Sequence, residues 1–283
     1  MVNSGIKIRE FPKENYRSIY FNGKTIRQTY DQSKPIADLE YPEFYDVKIT
    51  GKCFGKCSWC YMDSSSIEEH YMDAIDNINS FFGTMNENQK PFQVAIGGGE
   101  PTLHPHFIDI LKAFDAIGIT PNYTTNGMHI SKDIIEATQK YCGGVAISCH
   151  EHLSAYWKSA IELFSDVKVK LNLHLIISDK ASVDKFVDIY HEYQDVIDYF
   201  VLLPHTKKGR ADEKVLEHEY LFDKVEELST DKIAFGALFH PFLKPNNVRF
   251  DLSLYEPEIM SKFLDMKDMK MYKSSFSDEV ICR

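Results

Sequence analysis

Cys53-Phe54-Gly55-Lys56-Cys57-Ser58-Trp59-Cys60-Tyr61 follows at once on a β-branched, strand-like run at 45–50. Thiols spaced four and three residues apart can converge on one polynuclear centre, and thiolates are soft ligands suited to zinc or iron–sulfur clusters. Gly55 lets the loop bend, and Lys56 adds positive charge that favours thiolates. A structural zinc site wants a fourth protein ligand, for which His70, His104 and His106 are candidates. A four-iron cluster held by only Cys53, Cys57 and Cys60 leaves one iron with open coordination.

The same alternation continues outward from this loop. Strand-like runs are expected at 45–50, 92–96, 121–125, 144–148, 167–177 and 197–203, with amphipathic helices at 67–82, 106–117, 131–141, 153–165, 181–194 and 213–229. Ser131 stands where a helix N-cap is wanted. Strand-then-helix units in succession imply parallel strands with right-handed crossovers, in either a doubly wound sheet or a βα barrel. Both place functional loops at the C-terminal ends of the strands. The motifs fall there: Gly97-Gly98-Gly99-Glu100-Pro101, Thr124-Thr125-Asn126-Gly127 and Ile147-Ser148-Cys149-His150. On the fifth run, period two sets Lys168, Lys170, Asn172 and His174 on one face, the mark of a wet cavity.

CxxxCxxC followed by an aromatic residue, after the first strand of a βα series, resembles the radical S-adenosylmethionine (radical SAM) superfamily over roughly residues 43–210. The resemblance implies a partial (βα)6 barrel of α/β class. It implies a 4Fe–4S cluster on Cys53, Cys57 and Cys60, with S-adenosylmethionine (SAM) chelating the fourth iron. Reductive cleavage of SAM then yields a 5′-deoxyadenosyl radical, which takes hydrogen from a small-molecule or peptide substrate. It further implies Tyr61 near the adenine, Gly98, Gly99 and Glu100 at the SAM amino group, and Thr125 and Asn126 lining the site. Ser148, Lys170 and Asn172 are implied at the SAM carboxylate or ribose. Cys149 is the candidate hydrogen-atom donor if it faces the cavity. A single-electron donor such as flavodoxin or ferredoxin is the implied partner. Other readings are a non-catalytic zinc or iron–sulfur module, and a barrel that binds SAM without cleaving it.

Composition bounds the rest. Of 283 residues, 43% are hydrophobic and 26% charged, a globular mixture. The formal charge of −10 disfavours an RNA substrate and an anionic membrane surface. No apolar run is long enough to span a bilayer, and the first residues lack a signal-peptide core, so the expected location is the cytoplasm. Beyond the cluster loop only Cys142, Cys149 and Cys282 remain, too scattered for a second cluster. The expected organisation is an N-terminal extension (1–40) with a hairpin turning at Asn22-Gly23, a core barrel (41–230), and a closing segment (231–283) that shapes the substrate site. In that last segment Met260, Met266, Met269 and Met271 are expected to pack under the barrel, and Tyr255, Tyr272 and Cys282 are conceivable radical relays.

Overall fold

The computed structural model describes residues 5–21, 23–214, 216–243 and 257–281. Asn22, Tyr255 and Cys282, all named above, lie outside the described residues.

Each expected strand forms: β4 (Phe44–Thr50), β5 (Gln93–Gly98), β6 (Thr120–Thr125), β7 (Gly144–Ser148), β8 (Lys170–Ile177) and β9 (Tyr199–Pro204). Each pairs in parallel with the next. The helices are α1 (Ala74–Phe81), α2 (Phe107–Ala116), α3 (Lys132–Tyr141), α4 (Ser154–Phe164), α5 (Lys180–Tyr193) and α6 (His218–Leu228). The Ser131 hydroxyl caps α3 by accepting from Ile134 N. The helix expected from residue 67 starts only at Ala74. The residues before it fold back on the cysteine loop instead, where His70 bridges Thr50 and Ser65 bridges Lys52.

Three strands precede this series: β1 (Lys7–Phe11), β2 (Tyr16–Phe21) and β3 (Lys24–Gln28) form a separate antiparallel sheet. Gly23, with φ +73°, sits in the turn between β2 and β3. This sheet packs against the N-terminal end of β5. Tyr20 stacks on Phe92 at 5.2 Å, and the buried Arg9 donates to the Asn88 and Tyr41 carbonyls.

The C-terminal segment does more than cover the barrel. β10 (Ile233–Phe235) adds in parallel beside β9, and β11 (Ser261–Asp265) adds in parallel beside β4. β12 (Lys270–Tyr272) and β13 (Val280–Ile281) continue antiparallel. The six-strand count therefore falls short at both edges. β11 escapes period-two reading because Lys262 occupies a buried position in it, where its ammonium is held by the Glu258 carbonyl. Met266 and Met271 join the main core, and Met260 packs in a smaller one with Tyr16, Ile36 and Leu39.

The ten-stranded sheet is curled. β9 and β4 are five strands apart in its order, roughly 24 Å along a flat sheet at about 4.8 Å per strand. Yet Arg210 N, beyond β9, donates to Cys60 O, beyond β4, at 3.0 Å. The sheet is thus a partial barrel whose two sides meet at the C-terminal mouth.

Alternation sorts the side chains. Tyr45, Val47, Ile49, Val94, Ile96, Tyr123, Val145, Ile147, Leu171, Leu173, Leu175, Phe200 and Leu202 are buried against the helices in one continuous core. The opposite parity faces the lumen. There stand Asp46 and Lys48, Asn122 and Thr124, Ser148, Asn172 and His174.

Candidate active site

The cysteine loop is held from both sides. On one side Gly99 N donates to Thr50 O at 2.7 Å and Glu100 N to Lys52 O at 2.8 Å. A Cβ on Gly99 would lie 2.1 Å from Lys52 O, and one on Gly98, whose φ is +118°, 2.3 Å from Thr50 O. Glycine is required at both positions because backbone meets backbone. The close approach expected toward a ligand is made, at Gly98 and Gly99, toward the cysteine loop. Gly97 alone in this run opens on free space, with no atom within 4 Å of the Cβ it lacks.

On the other side Gly209 presses against the Cys60 and Tyr61 carbonyls, where a Cβ would sit 2.5 and 2.6 Å away. The Arg210 side chain donates to Cys57 O at 3.2 Å, Asp63 Oδ1 at 2.6 Å and Ser64 O at 2.9 Å. The Gly209-Arg210 pair thereby straps the loop across the barrel mouth.

Two of the three thiols, Cys53 and Cys57, border the same space at Gly55. A Cβ at Gly55 would lie 3.4 Å from Cys53 Sγ and 3.5 Å from Cys57 Sγ, so glycine leaves a hollow between two sulfurs. Burial and the neighbouring thiols Cys53 and Cys60 push the Cys57 thiol up to about 12, and burial raises Cys53. Thiols so placed become thiolates only with a cation among them. A glycine-made hollow between the Cys53 and Cys57 sulfurs, with Cys60 in the same loop, has the donor chemistry of a thiolate-held cluster.

The histidines proposed as a fourth ligand are committed elsewhere. His104 receives the His106 N–H at Nδ1 (3.1 Å) and faces Tyr71 O with Nε2 (3.1 Å). His70 Nδ1 bonds Thr50 Oγ1 at 3.0 Å. The imidazole that does reach a thiol is His152, which sequence reasoning missed. Its Nε2 lies 3.7 Å from Cys57 Sγ and 2.8 Å from Gly55 O. A carbonyl only accepts, so that nitrogen carries the proton and offers no lone pair to a metal. The His152 ring also meets Trp59 edge-on at 5.3 Å and stacks on His150.

Glu100 is buried and accepts four hydrogen bonds. They come from Thr102 N (3.3 Å), Thr102 Oγ1 (2.6 Å), Thr125 Oγ1 (2.7 Å) and Asn126 N (2.7 Å). Burial nevertheless raises its pKa. The carboxylate thus latches the second strand end to the third. Thr125 is turned toward this latch and away from the lumen it was expected to line. Asn126 directs its Nδ2 at Cys53 Sγ, 3.7 Å away.

Tyr61 stacks on Phe276 of the C-terminal segment at 4.6 Å. Burial, with the charge of Asp46 adding, pushes its hydroxyl up to about 12. Ser148, at the mouth end of β7, is the register partner of His174 in the middle of β8. Two expectations fail on position. Lys170 opens β8 at the far end of the barrel, where its ammonium pairs with Asp198 at 2.7 Å in solvent. Cys149 has the parity of Val145 and Ile147, packs against the outer core, and feels the charges of Lys185, Lys158 and Glu192 on α4 and α5. It faces the helices, not the cavity. Asn172 does face inward, two residues above Lys170.

The family model of the radical SAM superfamily matches residues 47–219, more than half of the chain. A SAM-dependent nucleotide dehydratase of Flammeovirga pacifica is 34% identical over 56 residues, covering 20% of this chain and 19% of that one. A SAM-dependent tRNA 4-demethylwyosine synthase of Methanocaldococcus jannaschii is 25% identical over 173 residues, 53% of this chain and 52% of that one. The chain thus spans at most about half the length of these relatives. Among solved structures, Streptococcus suis SuiB bound to SAM superposes with a TM-score of 0.69 at 15% identity, over 96% of this chain and 82% of that one. SuiB has also been solved with its precursor peptide SuiA, and that structure superposes at 0.65 with 19% identity over 83% of this chain and 60% of that one. At these identities the structural likeness speaks for the fold. No helix among the described residues is long and apolar enough to cross a membrane.

Proposed function

Because this chain belongs to the radical SAM superfamily, an enzyme family whose cofactors are a 4Fe–4S cluster and SAM, we propose that it reductively cleaves SAM to begin hydrogen abstraction from a small-molecule or peptide substrate. The observation that carries this reading is the hollow at Gly55 flanked by the Cys53 and Cys57 sulfurs, in a loop that the glycine run at 97–99 packs against. Cys53, Cys57 and Cys60 would hold the cluster. When bound, that group supplies one electron to the SAM sulfonium, and the 5′-deoxyadenosyl radical so released takes a hydrogen atom.

The chain's own residues orient and enclose. The open position at Gly97 leaves room for the SAM methionine moiety beside the backbone of Gly98 and Gly99. Glu100 acts through Thr125 and Asn126, holding the loop that carries an N–H to Cys53. Tyr61, clamped by Phe276, presents a ring to the adenine, and Ser148 offers a hydroxyl to the ribose or carboxylate. In this reading residues 41–230 carry the cofactors, residues 1–40 buttress the base, and residues 231–283 shape the substrate mouth. An external single-electron donor of the flavodoxin or ferredoxin type completes the system.

The test is anaerobic reconstitution with iron and sulfide, followed by dithionite and SAM. About four irons per chain and 5′-deoxyadenosine are expected, with both lost in Cys57→Ala. Tight zinc without product would establish the structural-metal reading. A loaded cluster that binds SAM and leaves it intact would establish the non-cleaving one.

A further inference from the structure

The lumen below the cofactor loops has a polar character that the cofactor roles leave unused. Lys48 is neutralised there by Asp265 at 3.0 Å, and Asn122 donates to Gln93 at 3.0 Å. Four other inward side chains behave differently. Asp46, Ser148, Asn172 and His174 make no side-chain hydrogen bond or ion pair among the described residues. For Asn172 the Oδ1 atom is fully buried and without a donor. Around Asp46 burial is the one influence on its carboxyl, which is pushed up to about 6, with no hydrogen bond or cation opposing that shift. His174 is pushed down to about 4 by burial and stays neutral, keeping a lone pair on one ring nitrogen.

These groups share one chemical need. Asn172 Oδ1 is a buried acceptor without a donor, which costs free energy, and the half-buried Asp46 carboxylate faces the same lumen with no partner among the described residues. Native interiors satisfy such groups, and exceptions mark places where a ligand completes the set. Water could hydrate one of them, but the carboxylate is also an uncompensated charge. The nearest lysine on its own strand, Lys48, is already taken by Asp265. What the lumen lacks, among the described residues, is positive charge carrying several N–H donors.

We propose that this lumen is the substrate pocket and that it selects a protonated amine or guanidinium, with Asp46 as the counter-ion and Asn172 and His174 as supporting acceptors. This rests on the SAM-cleaving reading in one respect, that the substrate enters the barrel from the cofactor side. The cationic group belongs to the substrate rather than to SAM, whose ammonium lies at the cluster loop in that reading. Ser148, at the mouth end of β7, marks the boundary between the two.

The test uses the reconstituted protein saturated with S-adenosylhomocysteine, so that no radical forms. Nα-acetyl-lysine amide, agmatine and the neutral Nα-acetyl-norleucine amide are titrated by saturation-transfer NMR. The cationic probes should bind saturably, at least tenfold more tightly than the neutral one. Asp46→Asn should remove that tenfold preference, and Asn172→Leu, with the carboxylate intact, should weaken cationic binding several-fold. Thermal unfolding confirms that both variants fold; if Asp46→Asn does not, Asn172→Leu and the neutral probe decide alone. Equal binding of charged and neutral probes, no saturable binding of either cation, or a preference that survives Asp46→Asn would overturn the proposal. A fall in S-adenosylhomocysteine affinity in Asp46→Asn, larger than the fall for the amines, would assign Asp46 to the cofactor and overturn it as well. Failure here leaves 5′-deoxyadenosine formation untouched, and failure of SAM cleavage leaves these binding data readable.

Discussion

Replacing Glu100 is the sharpest probe of how the site is held together. Its carboxylate gathers two hydroxyls and two backbone N–H groups from the second and third strand ends. In Glu100→Ala, Asn126 N–H, Thr102 N–H and two hydroxyls lose their acceptor. Hydroxyls can rotate toward other partners, but buried N–H groups cannot, and each orphan costs about 1–3 kcal/mol. Removing the carboxylate also removes a desolvation cost, the one that raises its pKa, so the lower end applies, roughly 2 kcal/mol for the two N–H groups. In Glu100→Gln the amide oxygen can face Asn126 N–H while its NH2 donates to a threonine hydroxyl. One N–H is left weakened and the cost falls to about 1 kcal/mol. For a chain of this size the melting temperature drops by about 2–4 °C per kcal/mol, so about 6 °C separates Ala from wild type and about 3 °C separates Gln. Thermal and urea unfolding of the metal-free protein measures both. In a cycle with Thr125→Val, that substitution should cost about 1 kcal/mol less on the Glu100→Ala background than in wild type. An alanine variant within 0.5 kcal/mol of wild type, taken as roughly the scatter of surface mutations, would refute the latch. So would a glutamine variant as damaging as alanine.

Other outcomes follow from the same geometry. Gly99→Ala drives a Cβ to 2.1 Å from Lys52 O, so it should abolish cluster retention in iron analysis. Lys170→Ala removes only a solvent-exposed pair with Asp198 and should leave SAM-dependent 5′-deoxyadenosine formation unchanged and stability within about 0.5 kcal/mol. Cys149→Ser should keep full substrate turnover, since the thiol faces the helices; loss of product with retained SAM cleavage would return it to the cavity. His152→Phe keeps the contact with Trp59 but removes the N–H shared by Gly55 O and Cys57 Sγ, so the reduced cluster's midpoint potential, followed by EPR, should fall. His152→Gln, which restores a donor, should recover part of the shift. Asp46 has a folded pKa of about 6 against 3.8 in the unfolded chain. Between those values the folded state binds the extra proton, so wild-type stability should decline as pH rises through this window, by up to about 3 kcal/mol. Asp46→Asn should flatten that decline, seen as a stabilisation at pH 7 that is absent near pH 4.

The fold and the proposed cluster ligands were legible because they rest on local signals. Period-two runs separated by amphipathic stretches mark the six parallel strands, and three thiols in one loop mark a metal site without reference to distant residues. Ser131 capping α3 is legible for the same reason. Asp46 could have been found too, since Tyr45 to Thr50 alternates apolar and polar just as the fifth strand does.

Tertiary structure alone settled the rest. Lys170 and Asn172 share a face by alternation, but only strand register shows that Lys170 sits at the base of the barrel and not at its mouth. Cys149 has a face only once Val145 and Ile147 are seen against α4 and α5. His152 and Arg210 reach the cysteine loop from 95 and 153 residues away in sequence, and no local pattern encodes a contact that exists because the sheet curls. Gly98 and Gly99 were recognisable as a motif, yet their need for glycine comes from the backbone of Thr50 and Lys52. Residue type and spacing determine which strands form and which atoms are proposed to bind metal; the direction each side chain faces, and what meets it there, depends on register and curvature, which arise only when distant segments pack.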